Sequence, residues 1–109
     1  MYVAKGGCYM KLNFTIDGVS FVEMSDGSLS AKVDGMRLCN IYYRDGKYRV
    51  KCRSKYFADF FPVEYTVGGA YLEETRNYSA YFAVLTEKQL QDWLGKIITL
   101  DISKRLDNR

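Results

Sequence analysis

Apolar and polar residues alternate along most of the chain, and four Asp-Gly pairs break the alternation: Asp17-Gly18, Asp26-Gly27, Asp34-Gly35 and Asp45-Gly46. A period of two marks a strand with one buried face. Asp-Gly between such segments marks a tight hairpin, because a type I′ turn needs positive φ at both central residues. The pairs recur at intervals of 9, 8 and 11 residues. This spacing predicts a meander of five short antiparallel strands, at about 10–16, 19–24, 28–33, 36–43 and 48–53.

The hairpin at Asp45-Gly46 can be read in register. With two residues in the loop, Arg44 faces Lys47, Tyr43 faces Tyr48, and paired numbers sum to 91. One face then carries Cys39, Ile41, Tyr43, Tyr48, Val50 and Cys52, and should be core. The opposite face carries Asn40, Tyr42, Arg44, Lys47, Arg49, Lys51 and Arg53, and should point outward. Cys39 and Cys52 fall opposite each other, either as two reduced thiols in the core or as a pair that a disulfide could span. The same count at Asp34-Gly35 puts Leu29, Ala31 and Val33 on the basic face. Either that turn is longer and bulged, or part of the face is covered.

Beyond the meander, residues 54–61 read either as one helical turn capped by Ser54 or as an irregular aromatic segment ending at Pro62. Residues 63–67 and 70–74 alternate like strands around Gly68-Gly69, and 78–85 reads as another strand, entered through a turn near Arg76-Asn77. Thr86 with Gln89 three residues later forms a capping box that opens a helix over about 86–96. Leu90, Trp93, Leu94 and Ile97 recur at helical spacing and make its buried stripe. Residues 97–102 read as a last strand. The predicted class is α+β: an antiparallel β-meander or partial barrel with one α-helix in the C-terminal half. Residues 1–109 are expected to form a single domain, with 1–9 a loose N-terminal tail and 104–109 a charged C-terminal tail.

Composition narrows the function classes. The chain has 109 residues, 48 % of them hydrophobic, which is enough for one core without disulfide or metal staples. No apolar run approaches the roughly 20 residues that cross a bilayer. The first residues lack the apolar core of a signal peptide, so a cytoplasmic protein with no membrane partner is expected. Three scattered Cys and no His supply neither a disulfide framework nor a zinc site. The lack of His also removes the commonest acid–base group, and the chain has no P-loop and no GxGxxG. The only adjacent carboxylates, Glu73 and Glu74, should point to opposite faces of a strand. A non-enzymatic binding protein without a cofactor is expected.

Charge is where the chain departs from the ordinary. Lys47, Arg49, Lys51, Arg53 and Lys55 occupy every second position. Residues 32–55 carry a net +6 within a chain of net +3, so the remainder carries −3. Like charges in a row repel, and local stability does not explain them. They suit a polyanion, with Tyr42 or Tyr56 offering a stacking face. They would also suit a solvated face that blunts an edge strand against aggregation. The candidate site for nucleic acid or an anionic protein surface is therefore Tyr42, Arg44, Lys47, Arg49, Lys51, Arg53 and Lys55. Tyr56, Phe57, Phe60 and Phe61 are either core or aromatics at an interface, for instance of a homodimer. The rival reading is a protein-binding module, such as a phage-type, anti-CRISPR-like inhibitor of a host nuclease or defence complex. It would present Glu64, Glu73, Glu74, Glu87 and Asp92 to its target. An assembly subunit is a third option.

One stretch resembles a known family. Asp34-Gly35, a strand, Asp45-Gly46-Lys47, a second strand, Ser54-Lys55 and then 57–63 (Phe-Ala-Asp-Phe-Phe-Pro-Val) are similar in order and spacing to the SpoVG septation regulators. The resemblance covers about 30 residues of 109. Where that family has Met-Pro before the Ser, this chain has Cys52-Arg53. The family's loop before the aromatic residue is longer, and its helix follows soon after the Pro, whereas here further strands intervene. The resemblance implies a small nucleic-acid-binding regulator that self-associates.

Overall fold

The computed structural model describes residues 12–73 and 76–100, with the backbone alone over 69–73 and 76–79. The expected tails at 1–9 and 104–109 lie outside the described residues.

Six strands form one antiparallel sheet: β1 (Ser20–Glu23), β2 (Leu29–Val33), β3 (Met36–Arg44), β4 (Lys47–Cys52), β5 (Thr66–Glu73) and β6 (Arg76–Leu85). Their order across the sheet is β1-β2-β3-β4-β6-β5. The sheet stays open, with β1 and β5 at its edges. Two helices, α1 (Lys55–Ala58) and α2 (Glu87–Ile97), complete an α+β fold. Among the described residues, no helix is long and apolar enough to cross a membrane.

The four Asp-Gly pairs make two kinds of turn. At 34–35 and 45–46 both residues have positive φ (Asp34 52°, Gly35 79°; Asp45 53°, Gly46 81°), as two-residue type I′ loops require. At Gly18 and Gly27 only the glycine is in that region. Gly27 closes a longer loop, in which its N–H donates to Met24 O at 3.0 Å and Met24 N–H donates to Ser28 O at 2.8 Å. Asp26 braces this loop by accepting from both the N–H (3.0 Å) and the hydroxyl (2.6 Å) of Ser28. Those bonds, ahead of a smaller effect of the Lys51 charge, hold its carboxyl below the usual range.

The register of β3 with β4 is the one the sum of 91 predicts: Asn40 with Lys51, Ile41 with Val50, Tyr42 with Arg49, Tyr43 with Tyr48 and Arg44 with Lys47. The conflict at Leu29 and Ala31 is resolved by a bulge inside β3. Val33 pairs with Met36 across a two-residue turn and Lys32 with Arg37, but Ala31 pairs with Cys39, so Leu38 is the extra residue. The bulge returns Leu29 and Ala31 to the core face beside Ile41 and Cys39.

Several expectations are corrected. The described part of the proposed first strand, residues 12–16, is irregular chain rather than strand. Leu12, Phe14, Ile16 and Val19 instead pack against the core, with Phe14 edge-on to Phe21 at 6.2 Å between ring centres. Residues 63–65 precede β5, and Gly68-Gly69 lies within that strand, where the register with β6 slips by one residue. Glycine suits such a bulge, having no side chain to place. Arg76 and Asn77 belong to β6. Residues 98–100 form turns rather than a strand, because α2 runs on through Ile97; 101 and 102 lie outside the described residues.

One face of the sheet is covered. Leu90, Trp93, Leu94 and Ile97 of α2 are buried, with α2 packed on β4 and β6. Each such side chain contributes about 1.5–3 kcal/mol of transfer free energy. The expected capping box is present: Gln89 N–H donates to Thr86 Oγ1 at 3.2 Å, and Thr86 N–H donates to Gln89 Oε1 at 2.9 Å. Cys39, Ile41, Tyr48, Val50 and Cys52 are buried beneath it, whereas Tyr43 stays 50 % exposed, its ring 5.0 Å from that of Tyr48.

Candidate functional site

Among the described residues, the opposite face of the sheet has no helix on it. Antiparallel partners share a face, so the register places its side chains in cross-strand rows. One row is Tyr42, Arg49 and Val84 on β3, β4 and β6. The next is Ser30, Asn40, Lys51, Phe82 and Thr66 on β2, β3, β4, β6 and β5. Alternate residues of a strand lie about 6.8 Å apart and neighbouring strands about 4.8 Å apart, which sets the spacing within and between these rows. Arg44 and Lys47 pair with each other beyond the first row, and Lys32 and Arg37 pair on the flank.

β4, the middle strand of these rows, therefore carries a file of cations, Lys47, Arg49 and Lys51, flanked by Tyr42 on β3 and by Phe82 and Val84 on β6. Arg49 holds its guanidinium 4.5 Å from the centre of the Phe82 ring, a cation–π contact between adjacent strands. That ring reaches toward β5: a Cβ placed on Gly68 would sit 3.6 Å from its Cδ2 and Cε2. Val84, in the row of Tyr42 and Arg49, is 56 % exposed. Arg44 has Asp45 at 3.8 Å, but both side chains are almost wholly in solvent, where such a pair contributes little. Lys51 lies near enough to Asp26 to help lower that carboxyl.

Most of the residues expected at the site are together. Tyr42, Arg44, Lys47, Arg49 and Lys51 share the open face through the pairing of β3 with β4, and Arg53 directly follows the strand. Lys55 leaves the row. The strand ends at Cys52, Ser54 Oγ accepts the Phe57 N–H at 3.2 Å, and this cap starts α1 at Lys55. The Lys55 ammonium turns back to Asp59, at 3.2 and 3.3 Å from its two oxygens. Tyr65 also donates its hydroxyl to Asp59, at 2.6 Å. The Tyr65 bond, followed by the Lys55 ammonium, keeps the Asp59 carboxyl below its usual range.

The aromatic group divides. Phe57 (2 % exposed) and Phe61 (8 %) are core rather than interface; the Phe61 ring stacks on Trp93 with centres 4.5 Å apart. Tyr56 is half-buried and Phe60 sits at the surface under the Lys96 ammonium, 5.4 Å from its ring centre. Of the acidic residues in the rival reading, Glu87 accepts from Asn13 at 3.3 Å and Asp92 from Lys88 at 3.2 Å, both on the helix side of the sheet. Glu64 is exposed, and the side chains of Glu73 and Glu74 lie outside the described residues.

Sequence reasoning missed Phe82 and Val84 as members of the face. They alternate with the buried Ala83 and Leu85, a signal that assigns them to the outer face but not to a neighbour. The neighbour is β4, which makes β4 an interior strand, paired on both sides. Its cations therefore do not serve to blunt a sheet edge.

The chain matches no family model, no curated protein and no solved structure.

Proposed function

We propose that this chain is a non-enzymatic nucleic-acid-binding protein that uses the sheet face on which, among the described residues, no helix packs. One observation carries the reading. Lys47, Arg49 and Lys51 run down β4 on the face opposite α2, with Arg44, Lys32 and Arg37 beside them and the half-buried rings of Tyr42 and Phe82 on the flanking strands. Keeping like charges side by side on an interior strand has an electrostatic cost, and phosphates would offset it. Tyr42 and Phe82 add ring surface that a simple solvated face would not need. The similarity of residues 34–63 to the SpoVG regulators leads to the same class of partner, and suggests self-association.

The test is an electrophoretic shift series with DNA and RNA, single- and double-stranded, across a range of salt. Binding should weaken steeply as salt rises, since each phosphate that meets a cation releases counterions. Absence of a shift with every one of these at low salt would overturn the proposal. Capture of an acidic protein from nuclease-treated lysate, without any nucleic-acid shift, would replace it with protein recognition.

A further inference from the structure

We infer that the occupant of this face is an unpaired polynucleotide strand whose bases stack on the Arg49–Phe82 pair, an inference that rests on the nucleic-acid reading above. The flat groups beside the cations are the reason. A duplex presents phosphates outward and hides the flat surfaces of its bases, so it would engage the cations of β4 and leave the rings on the flanking strands unused. Those cations nevertheless lie among flat and apolar groups: the Phe82 ring with the Arg49 guanidinium 4.5 Å from its centre, the half-buried Tyr42 paired with Arg49, and Val84 on the other side of Arg49. Base faces are the part of a nucleic acid that matches such a surface, and only an unpaired strand exposes them.

The geometry suits stacking. The Arg49 guanidinium lies over one face of the Phe82 ring, and a base on the far side of that cation would make base, Arg49 and Phe82 one stack. The Phe82 ring reaches over Gly68, where even a Cβ would lie at contact distance of 3.6 Å, and it spreads the platform from β4 across β6 to β5. Three strand intervals span about 14 Å and two rows about 7 Å, room for two or three bases. Arg44 and Lys47 at one end and Lys51 at the other then lie where the connecting phosphates pass.

Fluorescence anisotropy at low salt decides the matter with four labelled probes of one length, about 15 units: single-stranded DNA, the same sequence as RNA, its DNA duplex, and an abasic strand with the phosphates but no bases. The intact strands should bind about tenfold or more tighter than the duplex and the abasic strand. Phe82→Ala should weaken single-strand binding about 5- to 150-fold, the loss of one base stack, while leaving the salt slope unchanged. Phe82→Leu keeps the apolar bulk and guards against a folding defect, and it should lose affinity too. Equal binding of abasic and intact strands, duplex binding as tight as single-strand binding, or full single-strand affinity in a folded Phe82→Leu variant would each overturn the inference while leaving nucleic-acid binding standing. Silence of all four probes would sink the nucleic-acid reading itself. Single-strand binding that passes these tests supports the inference whether the DNA or the RNA strand is preferred, and the preference says which sugar the face accepts.

Discussion

Trp93 donates its indole N–H to the carbonyl oxygen of Phe57 at 3.0 Å, joining the middle of α2 to the single-turn helix α1 across a gap of 36 residues in sequence. Both residues are buried, so no water replaces the bond if the donor is removed. Trp93→Phe keeps an aromatic ring to stack on Phe61 but orphans the Phe57 carbonyl. The variant should lose about 1–3 kcal/mol of stability in urea unfolding, and Trp93→Ala, which also opens a cavity, about 3–5 kcal/mol.

Gly46 has φ +81°, and nothing lies within 4 Å of where its Cβ would be. The cost of Gly46→Ala is therefore one of backbone conformation alone, about 1–2 kcal/mol by equilibrium denaturation. Asp45→Asn should be close to neutral, because Asn-Gly fills the same turn as readily as Asp-Gly.

Burial pushes the Cys52 thiol up to about 12, against a smaller opposing effect of the Ser54 backbone, and burial raises the Cys39 thiol as well. Below the ordinary value of 9.0 both thiols stay protonated in folded and unfolded chains alike. Between 9.0 and about 12 the unfolded chain releases the Cys52 proton while the folded chain keeps it. Stability must therefore fall as pH rises through that window, by about 1.4 kcal/mol per pH unit for each such thiol. Burial raises the Tyr48 phenol in the same sense. Urea midpoints measured from about pH 8 to 11 should show the decline, and Cys52→Ala should make it shallower by one thiol's share. An unchanged slope in that variant would contradict the burial of the thiol.

Ser30 is fully buried on the otherwise open face, and its hydroxyl has no hydrogen-bond partner among the described residues. Ser30→Ala removes an unsatisfied polar group without opening much space. It should raise the unfolding free energy by about 1 kcal/mol, or at least not lower it. A drop in stability of that size would mean the hydroxyl has a partner.

Arg44 and Lys47 stand at the end of the sheet face, two rows from Phe82. Replacing both with Ala should reduce the salt dependence of nucleic-acid binding by about one unit of slope for each phosphate that is no longer neutralised. It should leave thermal stability within about 0.5 kcal/mol of the parent, because both side chains are exposed.

What could be read from the sequence followed from how local each determinant is. The β3–β4 register was legible because a two-residue Asp-Gly loop leaves no freedom in the pairing that follows it. The buried stripe Leu90, Trp93, Leu94 and Ile97 was legible because the Thr86 box sets the start of the helix. The bulge at Leu38 was half-legible: the clash of faces at Leu29 and Ala31 left open a longer, bulged turn or a partly covered face, and the extra residue lies inside β3 instead of in the turn. Lys55 was misplaced because the alternation of charge continues through it in sequence, while the Ser54 cap ends the strand in space. Phe82 escaped because pairing between strands about 30 residues apart leaves no mark in either segment.

That last pairing has a consequence for when the protein can act. The hairpins β1 to β4 are joined by short loops and can form early in folding. The Arg49–Phe82 stack, by contrast, brings together two segments that meet only when β6 docks against β4. A nascent or partly opened chain would still carry the cations but not the platform. Base recognition would then report that the whole sheet has been assembled, and truncated or misfolded copies would retain only indiscriminate attraction to phosphate.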